Sequence, residues 1–216
     1  MPDLRLIAVV GIALFTGCSA QPATPKVDPY ANSGYYPVAD EEIKFLDDPT
    51  TNATVENDIT TLEFTNQSGE TVSLTEYLGK KPLVLVITRG YSGAICPYCA
   101  TQTSRLIANY SKFRERDAEV VVVYPLEKPA DQKNLEIFVA KAVAHLPADE
   151  QAVPFPLLLD VELKAVDALG IRKSLSKPAT YIFDKDGKIQ FAYVGNSLSD
   201  RPSVKAILAQ LDRLKK

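Results

Sequence analysis

Two cysteines three positions apart, Cys96 and Cys99 in the tetrapeptide CPYC, are the side chains of this sequence best suited to do chemistry. A C-x-x-C pair can be a redox dithiol, a peroxide-reducing site, half of a metal site or a structural clip. Zinc needs four ligands, and beyond the pair the folded region offers one histidine, His145, and no further cysteine. Covalent haem attachment fails because Ala100, not histidine, follows Cys99. As a staple the pair is poor, since a disulfide closing so short a loop constrains the unfolded chain little.

A reactive dithiol suits the flanking sequence. The apolar run PLVLVIT leads toward the cysteines and reads as a strand buried on both faces. Pro97 stands where a helix would take its first residue, and Leu106, Ile107, Tyr110 and Phe113 then fall on one helical face. The unpaired N–H groups and dipole of that helix are expected to favour a thiolate at Cys96. A free thiol of pKa about 8.5 is roughly 3% thiolate at pH 7, and a pKa of about 7 makes it about half thiolate. Cys96 is therefore expected to face solvent and attack, with Cys99, one turn in, as the buried resolving thiol. Arg89 and Lys177 are candidates for nearby positive charge, with solvated side chains as the plain alternative.

The elements that must position the pair follow from periodicity and turn signals. TLEFTNQSGETVSLTEYLG reads as two short strands around a turn at Gln67 to Gly69, closed by a helical turn at Gly79. Past the dithiol helix come the buried strand EVVVVYP, a helix from Asp131 to Leu146, a short strand in FPLLLD and the helix ELKAVDAL ending at Gly170. ATYIF and KIQFAYVG flank DKDG as a hairpin, and SVKAILAQLDRL closes the chain as an amphipathic helix after Pro202. The sum is an α/β sheet layered with helices. His145 reads as a helix C-terminal residue bonding the last carbonyls.

Composition narrows the function classes. A length of 216 residues suits one domain plus a tail, and a net charge of −3 with scattered basic residues excludes a nucleic-acid footprint. Residues 1–17 contain the apolar run Leu6 to Phe15, too short to span a bilayer as a mature helix but of secretory-signal length. FTGC resembles the lipobox of bacterial lipoproteins, which implies a lipidated Cys18 at the start of the mature chain; a plain cleaved signal or an uncleaved anchor are the alternatives. With Cys18 lipidated, Cys96 and Cys99 form a self-contained pair with no thiol left over. Ser19, rather than aspartate, implies the outer membrane if the host has two membranes. Residues 18–57, rich in Pro, Asn, Asp and Thr, read as a flexible tether, with Tyr35, Tyr36 and Phe45 available to lie on the domain.

Over about Ile59 to Lys216 the sequence resembles the thioredoxin superfamily, in its peroxiredoxin-like (alkyl hydroperoxide reductase/thiol-specific antioxidant) and TlpA-like redoxin branch. FTNQSGETVSLTEYLGKKPLVLVI before CPYC, FPLLLD, and KPATYIFDKDGKI carry the resemblance. It implies a thioredoxin-like three-layer α/β/α fold over residues 58–216 with a central mixed sheet, extended N-terminally by a strand pair and the tether. It also implies a redox-active Cys96–Cys99 disulfide with no cofactor. Pro178 matches the superfamily's cis-proline, which faces the dithiol and binds substrate backbone; an ordinary trans proline at a strand start is the alternative. Pro97, Tyr98 and Arg89 complete the expected substrate-contacting set.

Within the resemblance two chemistries compete. LVLVITRGYSGAIC has the length of the peroxiredoxin approach to its reactive cysteine, but Arg89 and Gly93 stand where peroxiredoxins carry proline and threonine. Their later arginine aligns near Pro178. The expectation is an exported thiol-disulfide oxidoreductase acting on protein thiols or disulfides, with a peroxide-reducing antioxidant enzyme as the alternative. A non-catalytic binding or delivery module on the same fold is the reading from another class.

Overall fold

A computed structural model describes residues 43–55 and 58–215; the expected signal, Cys18, Tyr35 and Tyr36 lie outside them. Its frame is a seven-stranded mixed sheet. The strands are β1 (Glu63–Thr65), β2 (Thr71–Ser73), β3 (Leu83–Ile87), β4 (Glu119–Leu126), β5 (Leu157–Val161), β6 (Ala179–Phe183) and β7 (Ile189–Val194), in the order β2-β1-β5-β4-β3-β6-β7. The three central strands β3, β4 and β5 run parallel, β6 and β7 form an antiparallel hairpin beside β3, and the β1–β2 pair adds to the other edge antiparallel to β5.

The continuous apolar runs occupy the centre because every residue of β3 is shielded on both faces. Fully burying a Val or Leu side chain stabilises by roughly 1.5–3 kcal/mol, so LVLVI and VVVV supply much of the core. Alternation along the strands divides that core. Val84, Val86, Val120, Val122 and Tyr124 face the side covered by α1 (Pro97–Ala108), α3 (Asn134–Val143) and α5 (Val204–Arg213). Leu83, Leu85, Ile87, Val121 and Val123 face the side covered by α4 (Lys164–Ala168) and the residues around Leu74. The resulting layers are the thioredoxin-like α/β/α arrangement.

Several local expectations shift. The helix after the dithiol breaks at Asn109 and resumes as α2 (Tyr110–Arg114), and the Asp131 to Leu146 helix is a 3-10 turn followed by the shorter α3. His145 lies in the turn beyond α3. The segment expected as tether up to Asn57 packs on the domain over residues 43–55. Ile43 is buried, Leu46 bridges to Pro202, and the Asn52 side chain donates to and accepts from the Val194 backbone. Its partners are far away in sequence, so the segment needs no periodicity of its own to be ordered.

Beyond the end of β3 the backbone stays tied to β4: Thr88 N–H donates to Val123 O and Tyr91 N–H to Pro125 O, each at 3.0 Å. Gly90, between them, has φ of +88°, and a Cβ there would lie 2.1 Å from the Pro125 carbonyl oxygen. Gly90→Ala is expected to destabilise the fold by more than about 2 kcal/mol, combining backbone strain with overpacking. Gly69→Ala, also at positive φ but meeting nothing within 4 Å, should cost measurably less in parallel denaturant melts.

Candidate active site

The turn from β3 delivers Cys96 to the N-cap of α1, and Pro97 takes the first helical position because a missing N–H costs nothing there. Cys99 N–H and Ala100 N–H both donate to the Cys96 carbonyl at 3.1 Å, which starts the helix. Both cysteines are free thiols, with Cys96 5% exposed and Cys99 fully buried. Cys96 is the less buried of the two, although it is far less exposed than expected.

The donors around the pair lie at the inner sulfur and not at the helix mouth, where the sequence expectation put them. The Cys96 side chain accepts no capping hydrogen bond from the helix. Cys99 Sγ instead accepts from Arg89 N–H at 3.3 Å and faces Arg201 Nη2 at 3.5 Å. Burial pushes the Cys99 thiol up, but the hydrogen bond from Cys96, the Arg201 guanidinium and the Arg89 N–H together hold it well below the ordinary thiol range. Donation to Cys99, followed by burial, pushes Cys96 up. The donors thus converge on the buried sulfur of the pair, Cys99, and favour negative charge there.

Arg201 is the site residue that sequence reasoning missed. It is 1% exposed and arrives from the loop between β7 and α5. Its Nε donates to Leu198 O at 2.6 Å and its Nη1 to Gln102 Oε1 at 2.7 Å, leaving Nη2 for Cys99. The loop is shaped by Asp200, which accepts from Tyr193 Oη at 2.6 Å and Asn196 N–H at 2.8 Å. Phe45 closes the outside, its ring 6.0 Å from Arg201 Cζ and 5.0 Å from Arg105 Cζ. An arginine in the polar stretch SLSDRPS gives no local signal that it will be buried.

The other expected residues gather around the pair in altered roles. Arg89 serves through its backbone, while its guanidinium donates to Ser92 Oγ at 3.0 Å. Tyr98 is half-buried against the α1-side core. Pro178 sits beside the approach to the dithiol, since Ser176 N–H donates to Arg89 O and Ala179 pairs with Ile87. The expected cis bond is not found: no peptide bond among the described residues is cis. The backbone either side of Pro178 is held by Lys177 N–H on Ile171 O and Gly195 N–H on Pro178 O, a path an extended trans proline follows. Beneath the pair, Tyr124 is stacked on Phe138 at 4.2 Å, and its buried hydroxyl has no partner among the described residues. Burial first, and then the neighbouring cysteine pair, pushes that hydroxyl up, so it stays a neutral donor.

The sequence matches the AhpC/TSA family over residues 55–192, more than half of the chain. The chain belongs to that family. Among curated proteins it is 26% identical over 127 residues to the thiol-disulfide oxidoreductase ResA of Halalkalibacterium halodurans, a match spanning 59% of this chain and 61% of ResA. It is also 26% identical over 137 residues to peroxiredoxin Bcp of Bacillus subtilis, spanning 59% of this chain and 76% of that protein. Among solved structures, peroxidoxin BcpB from Mycobacterium tuberculosis superposes with a TM-score of 0.55 at 20% identity, covering 77% of this chain and 99% of BcpB. A secreted disulfide oxidoreductase of the same organism, homologous to E. coli DsbE, gives 0.53 at 16% identity over 73% of this chain and 98% of that one. These likenesses establish the thioredoxin-like fold. Among the described residues no group of three or more His, Cys, Asp or Glu side chains could hold a metal ion.

Donors gathered at one sulfur have a measurable signature. Ultraviolet thiolate absorbance of the reduced protein should show one ionisation well below the ordinary thiol range, abolished in Cys99→Ser and shifted upward in Cys96→Ser. Because the folded value lies below that of the unfolded chain, the reduced protein gains stability as pH rises from the depressed value toward the ordinary thiol range. It loses that stability as pH falls through the depressed value, whereas the oxidised protein shows no such step.

Proposed function

We propose that the chain is an exported thiol-disulfide oxidoreductase in which Cys96 exchanges with substrate and Cys99 resolves the mixed disulfide. The carrying observation is the asymmetry of the pair: one cysteine at the N-cap of the helix and the less buried of the two, the other fully buried one turn in and facing a guanidinium. A thiol of low pKa is a good leaving group and is ready to attack at neutral pH. Similarity to ResA supports the same chemistry. Attachment to a membrane through lipidated Cys18, on the periplasmic side, is part of the proposal. No helix among the described residues is long and apolar enough to cross a membrane.

Insulin reduction and exchange with a fluorescent mixed-disulfide peptide provide the test. Cys96→Ser is expected to fall to the uncatalysed rate, and retained activity would remove Cys96 from the mechanism. Cys99→Ser should accumulate mixed disulfides with client proteins; a binding module on the same fold would yield none. Cys18→Ser should move the protein from the membrane fraction to the soluble one.

Peroxide reduction is the second reading, favoured by the family match and by peroxiredoxin Bcp. There Cys96 would become a sulfenic acid and Cys99 would close the disulfide. The residues around Cys96 supply little for it: Gly93 has no hydroxyl, and the Arg89 guanidinium is engaged by Ser92. Efficient catalysis needs donors where oxygen charge develops. Stopped-flow oxidation of the reduced protein by hydrogen peroxide is expected to proceed no faster than with a free thiolate; a rate orders of magnitude higher would establish the peroxidase.

A further inference from the structure

Arg201 poses a problem of charge. A guanidinium 1% exposed is costly unless an anion or a full set of acceptors compensates it. Its contacts are a carbonyl, an amide oxygen and Cys99 Sγ, with the Phe45 ring farther out. Among the described residues no carboxylate pairs with it, and the neighbouring Asp200 is turned away onto Tyr193 and Asn196. Among the described residues, the one group in contact with Arg201 that can become an anion is Cys99.

We propose that the Cys99 thiolate is the counter-ion of Arg201, and that this pairing makes the protein a disulfide donor, an acceptor of electrons from substrate dithiols. The proposal rests on the disulfide-exchange reading above and adds its direction. Reduction of the Cys96–Cys99 bond creates the anion that the buried cation lacks, and oxidation removes it. The reduced state is thereby stabilised relative to the disulfide, which raises the reduction potential. Arg201 touches no substrate; it acts through Cys99 as a positioning residue.

The step is balanced as follows. A substrate thiolate attacks Cys96 Sγ, which belongs to the less buried residue of the pair, and the Cys96–Cys99 bond breaks. Its electron pair leaves on Cys99 Sγ, between Arg201 Nη2 and the Arg89 N–H. A second thiolate of the same substrate attacks the substrate sulfur of the mixed disulfide and expels Cys96, which takes up a proton. Two substrate thiols become one disulfide and two electrons reach the pair. Of the two protons the substrate gives up, one ends on Cys96 and one passes to solvent. Exchange with a partner disulfide returns the pair to its oxidised form.

Equilibration of the full domain with glutathione buffers, read as the fraction of enzyme disulfide, tests the proposal. Arg201→Met is expected to shift the equilibrium at least tenfold toward the enzyme disulfide, about 30 mV more reducing. Arg201→Lys, which keeps the charge without the planar fork, should fall between the two. Wild-type protein should melt at higher temperature reduced than oxidised, and Arg201→Met should narrow that gap. An unchanged equilibrium constant in folded Arg201→Met would overturn the role of Arg201. If that variant does not fold, the wild-type melts decide, and an oxidised form as heat-stable as the reduced one sinks the proposal. Failure of wild-type protein to exchange with glutathione at all would instead sink the oxidoreductase reading itself.

Discussion

The site depends on two backbone hydrogen bonds that prolong the β3–β4 pairing past the last regular residue of β3. Thr88 N–H on Val123 O and Tyr91 N–H on Pro125 O carry the chain alongside β4 before it turns into α1. That contact is possible because Gly90 lets the two backbones approach more closely than any side chain would allow. Arg89, held between these anchors, points its N–H at Cys99, so the geometry of the dithiol is set by the most deeply buried strands of the sheet. A reactive group placed this way inherits the rigidity of the core.

Around that scaffold the chain manages charge in a medium that penalises it. Cys99 lies where water cannot solvate a thiolate, and the Arg89 N–H and the Arg201 guanidinium replace the missing solvation. Arg201 is in turn secured by Gln102 from α1 and the Leu198 carbonyl from its own loop, and Phe45 covers the outside. The covering segment is not incidental. Leu46 N–H donates to Arg201 O at 2.8 Å and Ser203 N–H to Leu46 O at 2.7 Å, so residues N-terminal to the sheet hold the loop that holds the arginine.

The same fold hosts thiol-disulfide exchange and peroxide reduction, and the AhpC/TSA family match alone does not separate them. On the proposed reading, the polar environment of the outer sulfur separates them. Here the donors converge on the buried Cys99, while Cys96 at the helix mouth receives no capping hydrogen bond. An arrangement that stabilises the inner sulfur favours a dithiol that opens and closes; one built for peroxide would aim its donors at an oxygen beside the outer sulfur.

Much of the architecture was legible in the linear sequence. The strands LVLVI and VVVV announce themselves by continuous apolarity, the hairpin by DKDG, and the dithiol helix by Pro97 and its apolar face. These are local signals, written in residues that are neighbours along the chain or one helical turn apart. The ordering of residues 43–55 was less visible, because it answers to partners elsewhere in the molecule. Sequence alone singled out the candidate reactive pair, since spacing and the shortage of other ligands leave Cys96 and Cys99 few roles. Which of the two sulfurs the donors serve was decided only by tertiary structure. Arg201 meets Cys99 across more than a hundred positions of sequence, and no local pattern encodes an electrostatic contact that exists only once the sheet, the loop and the covering segment have come together.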